Sequence, residues 1–238
     1  MNRELYGALI GALTLLALAL PISIFTLVVA FLALLIGREL SFALGVESVF
    51  PATFFSSLLF VIDPALGGIY VGLIALAYGY RTWNLDSFLR SVFILFYTGF
   101  FTSYLVHIRE MGFTTILAFV LSVWANDVFA YYIGKRYGKA HLLPKLSPKK
   151  TVEGFLGGIA AGALAFALLS PFPLLKSLLI AVLFLLAGVA GDYFKSFIKR
   201  QLGIKDFSHV LGGHGGFTDR FDAVIFAAPV FYWLTYRL

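Results

Sequence analysis

The chain has 238 residues, 61% of them hydrophobic and 13% charged, with no cysteine and a formal net charge of +6. A soluble domain is about a quarter charged, so this composition excludes a water-soluble globule. The missing cysteines exclude disulfides, thiolate metal sites and a cysteine nucleophile. The positive excess is read as loops on the inner side of a membrane, not as a nucleic-acid surface.

Taken from the N-terminus, Arg3 precedes an apolar run from Tyr6 to Leu20. Ala17-Leu18-Ala19 resembles a signal-cleavage stretch, but a second apolar run begins directly after Pro21 where a polar mature chain would be expected. The stretch is therefore read as a first span. Further runs bounded by charge, Pro or Gly give nine candidate helices, at about 6–20, 22–37, 52–62, 66–80, 91–107, 113–134, 154–170, 174–198 and 222–237. Backbone polar groups in lipid must bond internally, so such runs are helices. The expected fold is all-α: a polytopic integral membrane protein with about nine transmembrane helices. The first four are short against the roughly 20 residues that cross a bilayer. Residues 1–112 are expected to form an N-terminal packing or dimerisation region. Residues 113–238 are expected to form a catalytic region with cytoplasmic loops 135–153 and 199–221. With the N-terminus inside and nine crossings, all Lys and Arg except Arg109, Lys176, Lys195 and Arg237 fall on the cytoplasmic side. A transporter is the alternative from another class, but no inverted repeat supports it.

The carboxylates are few, and Asp127, Glu153, Asp192, Asp206, Asp219 and Asp222 lie in or beside the last four helices. Carboxylates near apolar spans are costly and so are candidates for function. Asp192 follows Leu185-Leu186-Ala187-Gly188-Val189-Ala190-Gly191, with Ser196 at i+4 and Lys199 at i+7. The plainer reading of Asp192 is a buried ion pair with Lys195 or Lys199. Downstream, Gly212-Gly213-His214-Gly215-Gly216 offers backbone amides to phosphate oxygens. Asp219 and Asp222, three residues apart, share a face if a helix starts there, where they would also suit the helix dipole. Upstream, Ser147-Pro148-Lys149-Lys150-Thr151 supplies phosphate donors and Glu153 stands at a helix start, although a basic loop beside a span also sets topology. Carboxylates, cations and glycine amides together suit Mg²⁺ and a polyphosphate. No GxxxxGK[ST] loop is present, and Gly157-Gly158 reads as a packing pair.

The run Ser196-Phe197-Ile198-Lys199-Arg200, Lys205-Asp206, His214-Gly215-Gly216, Asp219-Arg220-Phe221-Asp222 resembles the signature of phosphatidate cytidylyltransferases, also called CDP-diacylglycerol synthases. Asp127 with Ala130-Tyr131 and Gly134, and Ser147 to Thr151 with Glu153-Gly154, extend the resemblance over about residues 120–225. It implies a CTP- and Mg²⁺-dependent enzyme of the inner (cytoplasmic) membrane, often a homodimer, that activates phosphatidic acid for phospholipid synthesis. Its metal-binding aspartates carry over onto Asp192 and Asp219, with Asp127 as a further candidate ligand and a second cation such as K⁺ as an option. Lys205 and Asp222 join them as candidate catalytic residues. Ser147, Lys149, Lys150, Thr151, Glu153, Ser196, Lys199, Arg200, His214 and Arg220 are expected to bind the substrates, among the membrane lipids and without nucleic acid. Two positions depart from the pattern: Lys195 stands where Glu is usual, and Gly212 where Pro is common. Lys195 is expected to contact a substrate phosphate, because a permanent pair with Asp192 would compete with a metal. A CTP-dependent ether-lipid cytidylyltransferase or lipid kinase remains the alternative within enzymes.

Overall fold

A computed structural model describes residues 3–211 and 215–237. Among them the fold is all-α, with nine helices and one short 3₁₀ turn, Glu47–Val49. The helices are α1 (Arg3–Ala19), α2 (Ile22–Ala43), α3 (Phe50–Ile62), α4 (Pro64–Thr82), α5 (Leu85–Glu110), α6 (Phe113–Tyr137), α7 (Val152–Leu169), α8 (Leu174–Gln201) and α9 (Phe217–Arg237). Each matches an expected apolar run, but most extend beyond it. The runs end at charged residues, whereas a helix continues as long as its backbone bonds are made and long side chains reach water from its ends. Five helices, α2, α5, α6, α7 and α8, are long and apolar enough to cross a membrane. The chain is a membrane protein, and its surface agrees: Ile69, Leu73 and Leu76 on α4 and Leu164 and Leu168 on α7 are exposed. The short α3 follows from its ends, with Pro51 in its first turn and Asp63-Pro64 beginning the next helix.

The chain divides into two compact units, one of residues 1–110 with 204–221, the other of residues 111–203 with 222–238. In the first, α5 packs against α2, α3 and α4. Small and hydroxyl side chains let these backbones approach. A Cβ added at Gly99 would meet Ser56 and Phe60, and one at Gly37 would meet Thr53. Ser56 Oγ donates to Leu95 O at 2.9 Å, and the Ser57 and Thr102 hydroxyls lie 2.9 Å apart. Without water to drive association, such close packing and hydrogen bonding are what hold membrane helices together. Arg109 Nε donates to Leu18 O at 2.9 Å, satisfying a carbonyl at the end of α1. Asp63 caps α4 by accepting from the amides of Ala65 (2.7 Å) and Leu66 (3.1 Å).

In the second unit α6 and α7 are the tightest pair, and the reason is a glycine stripe. Gly154, Gly158 and Gly162 recur every fourth residue on one face of α7. A Cβ there would lie 2.6 Å from Ala130 O, 2.7 Å from Asn126 O and 2.9 Å from Ser122 O, respectively. The packing role read for Gly157-Gly158 holds: Gly157 faces Ile133 and Gly158 faces Asn126. Ser122 Oγ donates to Gly162 O at 2.8 Å across the seam. Below the stripe, Phe119, Phe166, Phe184 and Phe231 join α6, α7, α8 and α9 with ring centroids 5.0–5.5 Å apart. Such aromatic pairs add to the burial of their area.

Candidate active site

The loop between α6 and α7 is closed at its base. Thr151 Oγ1 accepts from Gly154 N at 3.2 Å and caps α7, while its backbone bridges His141. Leu142 N donates to Lys150 O (3.0 Å), and Val152 N to Ala140 O (2.8 Å). The Glu153 carboxylate accepts from the amides of Lys139 (3.0 Å) and Ala140 (3.4 Å). Thr151 and Glu153 thus shape the loop that presents Lys150. Ser147 O accepts from Lys150 N at 3.3 Å in the same turn, and Lys149 lies exposed beside it.

Lys150 reaches across 42 residues of sequence to the Asp192 carboxylate. Lys195, one helical turn on from Asp192, donates to Asp192 Oδ1 at 2.9 Å and approaches Asp222 Oδ2 at 2.7 Å. Lys195 and Asp222 are both buried, and Lys150 also sits over the Tyr193 ring at 5.0 Å. Asp127 on α6 is exposed, accepts from Asn126 Nδ2 at 3.2 Å, and its charge bears on both Lys150 and Asp222. Burial lowers the Lys150 pKa, and Asp127 opposes that shift. The cluster brings three aspartates and two lysines from α6, α8, α9 and the Lys149-Lys150 loop to one place. Burying Lys195 and Asp222 costs less because each has a partner of opposite sign.

Lys195 pairs with the Asp192 carboxylate, one of the two partners that the plainer reading of that aspartate named. The i,i+3 spacing on α8 sets it beside Asp192, and α9 brings Asp222 to its other side, so it bridges two carboxylates. The carboxylate of Asp222, expected as a catalytic residue, is buried against Lys195. Asp192 is paired, as its plainer reading held, but with Lys150 and Lys195 and not through Lys199. Ser196 and Lys199 are half-buried and Arg200 is exposed on the last turns of α8.

The remaining expected residues belong to the first unit. Asp219 Oδ2 accepts from the amides of Phe207 and Gly216, both at 3.1 Å, next to Gly215 at φ +76°. Lys205 and Arg220 are exposed. His214 lies outside the described residues, as does Gly212. A residue absent from the sequence-based expectation appears here. Glu39 on α2 is buried and accepts from Ser208 Oγ (2.6 Å), Phe217 N (2.9 Å) and Thr218 N (2.8 Å). Reading the second helix as ending at 37 leaves Glu39 in a loop. The helix runs to Ala43, and a carboxylate inside an apolar helix is the signal that could have found it.

Comparison with known proteins adds an independent finding. The model of the cytidylyltransferase family matches residues 1–238. A phosphatidate cytidylyltransferase of Aquifex aeolicus is 55% identical over 236 residues, covering 98% of this chain and 90% of that protein. One of Bacillus subtilis is 40% identical over 146 residues, covering 58% of this chain and 54% of that protein. One of Staphylococcus epidermidis is 37% identical over 172 residues, covering 69% of this chain and 66% of that protein.

Proposed function

The chain belongs to the cytidylyltransferase family, and from that premise we propose that it is a phosphatidate cytidylyltransferase, transferring CMP from CTP to phosphatidic acid. The products are CDP-diacylglycerol and pyrophosphate, and the step serves phospholipid biosynthesis. The observation that carries the reading is the meeting of Lys150, from the Ser147–Thr151 loop, with Asp192 on α8. Two motifs distant in sequence thus supply one ionic cluster.

The reaction is an in-line displacement. A lipid phosphate oxygen forms a bond to the α-phosphorus of CTP while the bond from that phosphorus to the bridging oxygen breaks, and the electron pair leaves with pyrophosphate. The nucleophile is already ionised near pH 7, since the second pKa of a phosphomonoester is about 6. No general base is needed, and the work of the chain is positioning and neutralisation of charge. Lys149, Lys150, Lys199, Arg200, Lys205 and Arg220 are the proposed phosphate contacts. In that role Lys150 exchanges the Asp192 carboxylate for a substrate phosphate.

The donor set suits Mg²⁺. It offers carboxylate oxygens, while the described residues contain no ready-made group of three or more His, Asp or Glu around an ion. Mg²⁺ commonly takes one or two carboxylates and completes its shell with water and substrate phosphates. Asp192 and, from the resemblance, Asp219 are the proposed ligands, with Asp127 as a further one. When bound, the ion supplies charge neutralisation at the phosphates. The bias of Lys and Arg and the bacterial relatives support the inner membrane, with the Lys149-Lys150 loop facing the cytoplasm. Nine crossings and a homodimer complete the proposal.

The test is incorporation of labelled CTP by the purified protein with a panel of lipid phosphates, with Mg²⁺, with EDTA, and with and without K⁺. CDP-diacylglycerol formed only with divalent cation is the expected result. Incorporation confined to an ether lipid or a polyprenol moves the substrate assignment, and undiminished turnover in EDTA removes the metal role.

A further inference from the structure

We infer that Glu39 is the positioning residue for the segment that carries Lys205, Asp219 and Arg220, acting on the reaction from a helix outside the signature. This rests on the cytidylyltransferase reading above. A buried carboxylate in an apolar helix is costly unless its lone pairs are filled. Among the described residues no Lys or Arg pairs with Glu39. Its compensation comes from the Ser208 hydroxyl and from the Phe217 and Thr218 amides.

Those two amides belong to the first turn of α9, where N–H groups have no partner within the helix and the dipole favours negative charge. A helix is normally capped there by the residue just before it. Here that residue is Gly216, which has no side chain to offer, and a Cβ at this position would collide with the Glu39 carboxylate. The cap is therefore supplied from α2, 178 residues away in sequence.

The consequence for the site lies in what the cap holds together. Glu39 ties Ser208 to Phe217 and Thr218, while Asp219 ties Phe207 to Gly216. Two carboxylates thus clamp the same two ends of the loop, one residue apart on each strand of the clamp. Asp219 is oriented by amides whose own positions depend on Glu39. Glu39 touches no reacting atom in this scheme. It fixes where the Asp219 carboxylate points.

The test compares Glu39→Gln and Ser208→Ala with the wild-type chain in lipid nanodiscs. Thermal stability, kcat, KM for CTP, the Mg²⁺ dependence of turnover and amide exchange at residues 205–211 and 217–218 are measured. Gln keeps one acceptor oxygen and the shape but loses the charge facing the helix dipole. Glu39→Gln is expected to remain folded, to exchange those amides faster, to need more Mg²⁺ for half-maximal rate, and to lose about 10-fold or more in kcat/KM, the scale of a charge-assisted hydrogen bond. Ser208→Ala, which removes one bond of three, should show the same pattern at about 2–3-fold. Should Glu39→Gln fail to fold, the same pattern in Ser208→Ala sustains the proposal, and unchanged kinetics and exchange in Ser208→Ala overturns it. A folded Glu39→Gln with unchanged kcat, KM and Mg²⁺ dependence also overturns it, as does a loss of activity that merely tracks thermal unfolding. An inactive wild-type chain would instead fault the cytidylyltransferase reading.

Discussion

The two polar clusters of this chain keep carboxylates at membrane helices in different ways. Around Asp192 and Asp222 the compensation is ionic, from the ammonium groups of Lys150 and Lys195. Around Glu39 and Asp219 the described partners are chiefly backbone amides. An ammonium on a long side chain can move to a phosphate when one arrives, whereas an amide moves only with the backbone. The first cluster is therefore suited to exchanging partners with substrate, and the second to holding a fixed shape.

The largest expected effect breaks the ionic cluster at its centre. Asp192→Asn removes the charge shared by two lysines, and CDP-diacylglycerol formation should fall by about 10²–10³-fold, the scale of losing one preorganised charged group at a reacting centre. Retention of more than a tenth of the activity would contradict its place in the site.

Next is Lys195→Ala. It leaves Asp222 buried without its ammonium, and a broken buried pair costs about 3–5 kcal/mol. The melting temperature in EDTA should fall, and Mg²⁺ should recover part of the loss by taking over the exposed charge. An unchanged melting temperature would show that the pair contributes nothing and that the contrast between the clusters is wrong. Lys195→Glu, which installs the residue usual in the family, should be still less stable in EDTA and gain more from Mg²⁺.

The packing of α7 on α6 has a smaller, steric signature. Gly158→Ala places a Cβ 2.7 Å from Asn126 O, and overpacking of this kind costs about 1–3 kcal/mol. Denaturation in mixed micelles measures it. Because α6 carries Asp127 and leads into the Lys150 loop, activity should fall with stability.

The smallest effect isolates an amide-held carboxylate that belongs to neither cluster. Asp63→Ala removes the cap of α4, worth about 1 kcal/mol, and should leave turnover unchanged. A marked loss of activity would mean that amide-held carboxylates here do more than fix local shape.

Much of this protein was legible from sequence. Every helix lies over an expected apolar run, and Asp192, Lys150 and Asp222 were singled out as candidates before their meeting was visible. Two features were not legible. Helix ends were cut at charges, which hid Glu39. The pairing of Lys195 with Asp222 was not foreseen, because the two lie 27 residues apart and no local pattern announces it.

The sequence by itself determined the membrane class, the all-helical fold and the residue types of the site. Those follow from properties that neighbours along the chain decide: apolar run length, the need to satisfy backbone hydrogen bonds in lipid, and motif spacing. Only the tertiary structure decided which charges face each other. Lys150 meets Asp192 because the Gly154, Gly158 and Gly162 stripe lets α6 and α7 close on one another and the capped loop between them projects its lysine. Glu39 meets the start of α9 because Gly216 leaves that helix uncapped and open to a partner from elsewhere. Both pairings depend on how backbones pack at close range, a contest among distant segments that apolar periodicity does not record.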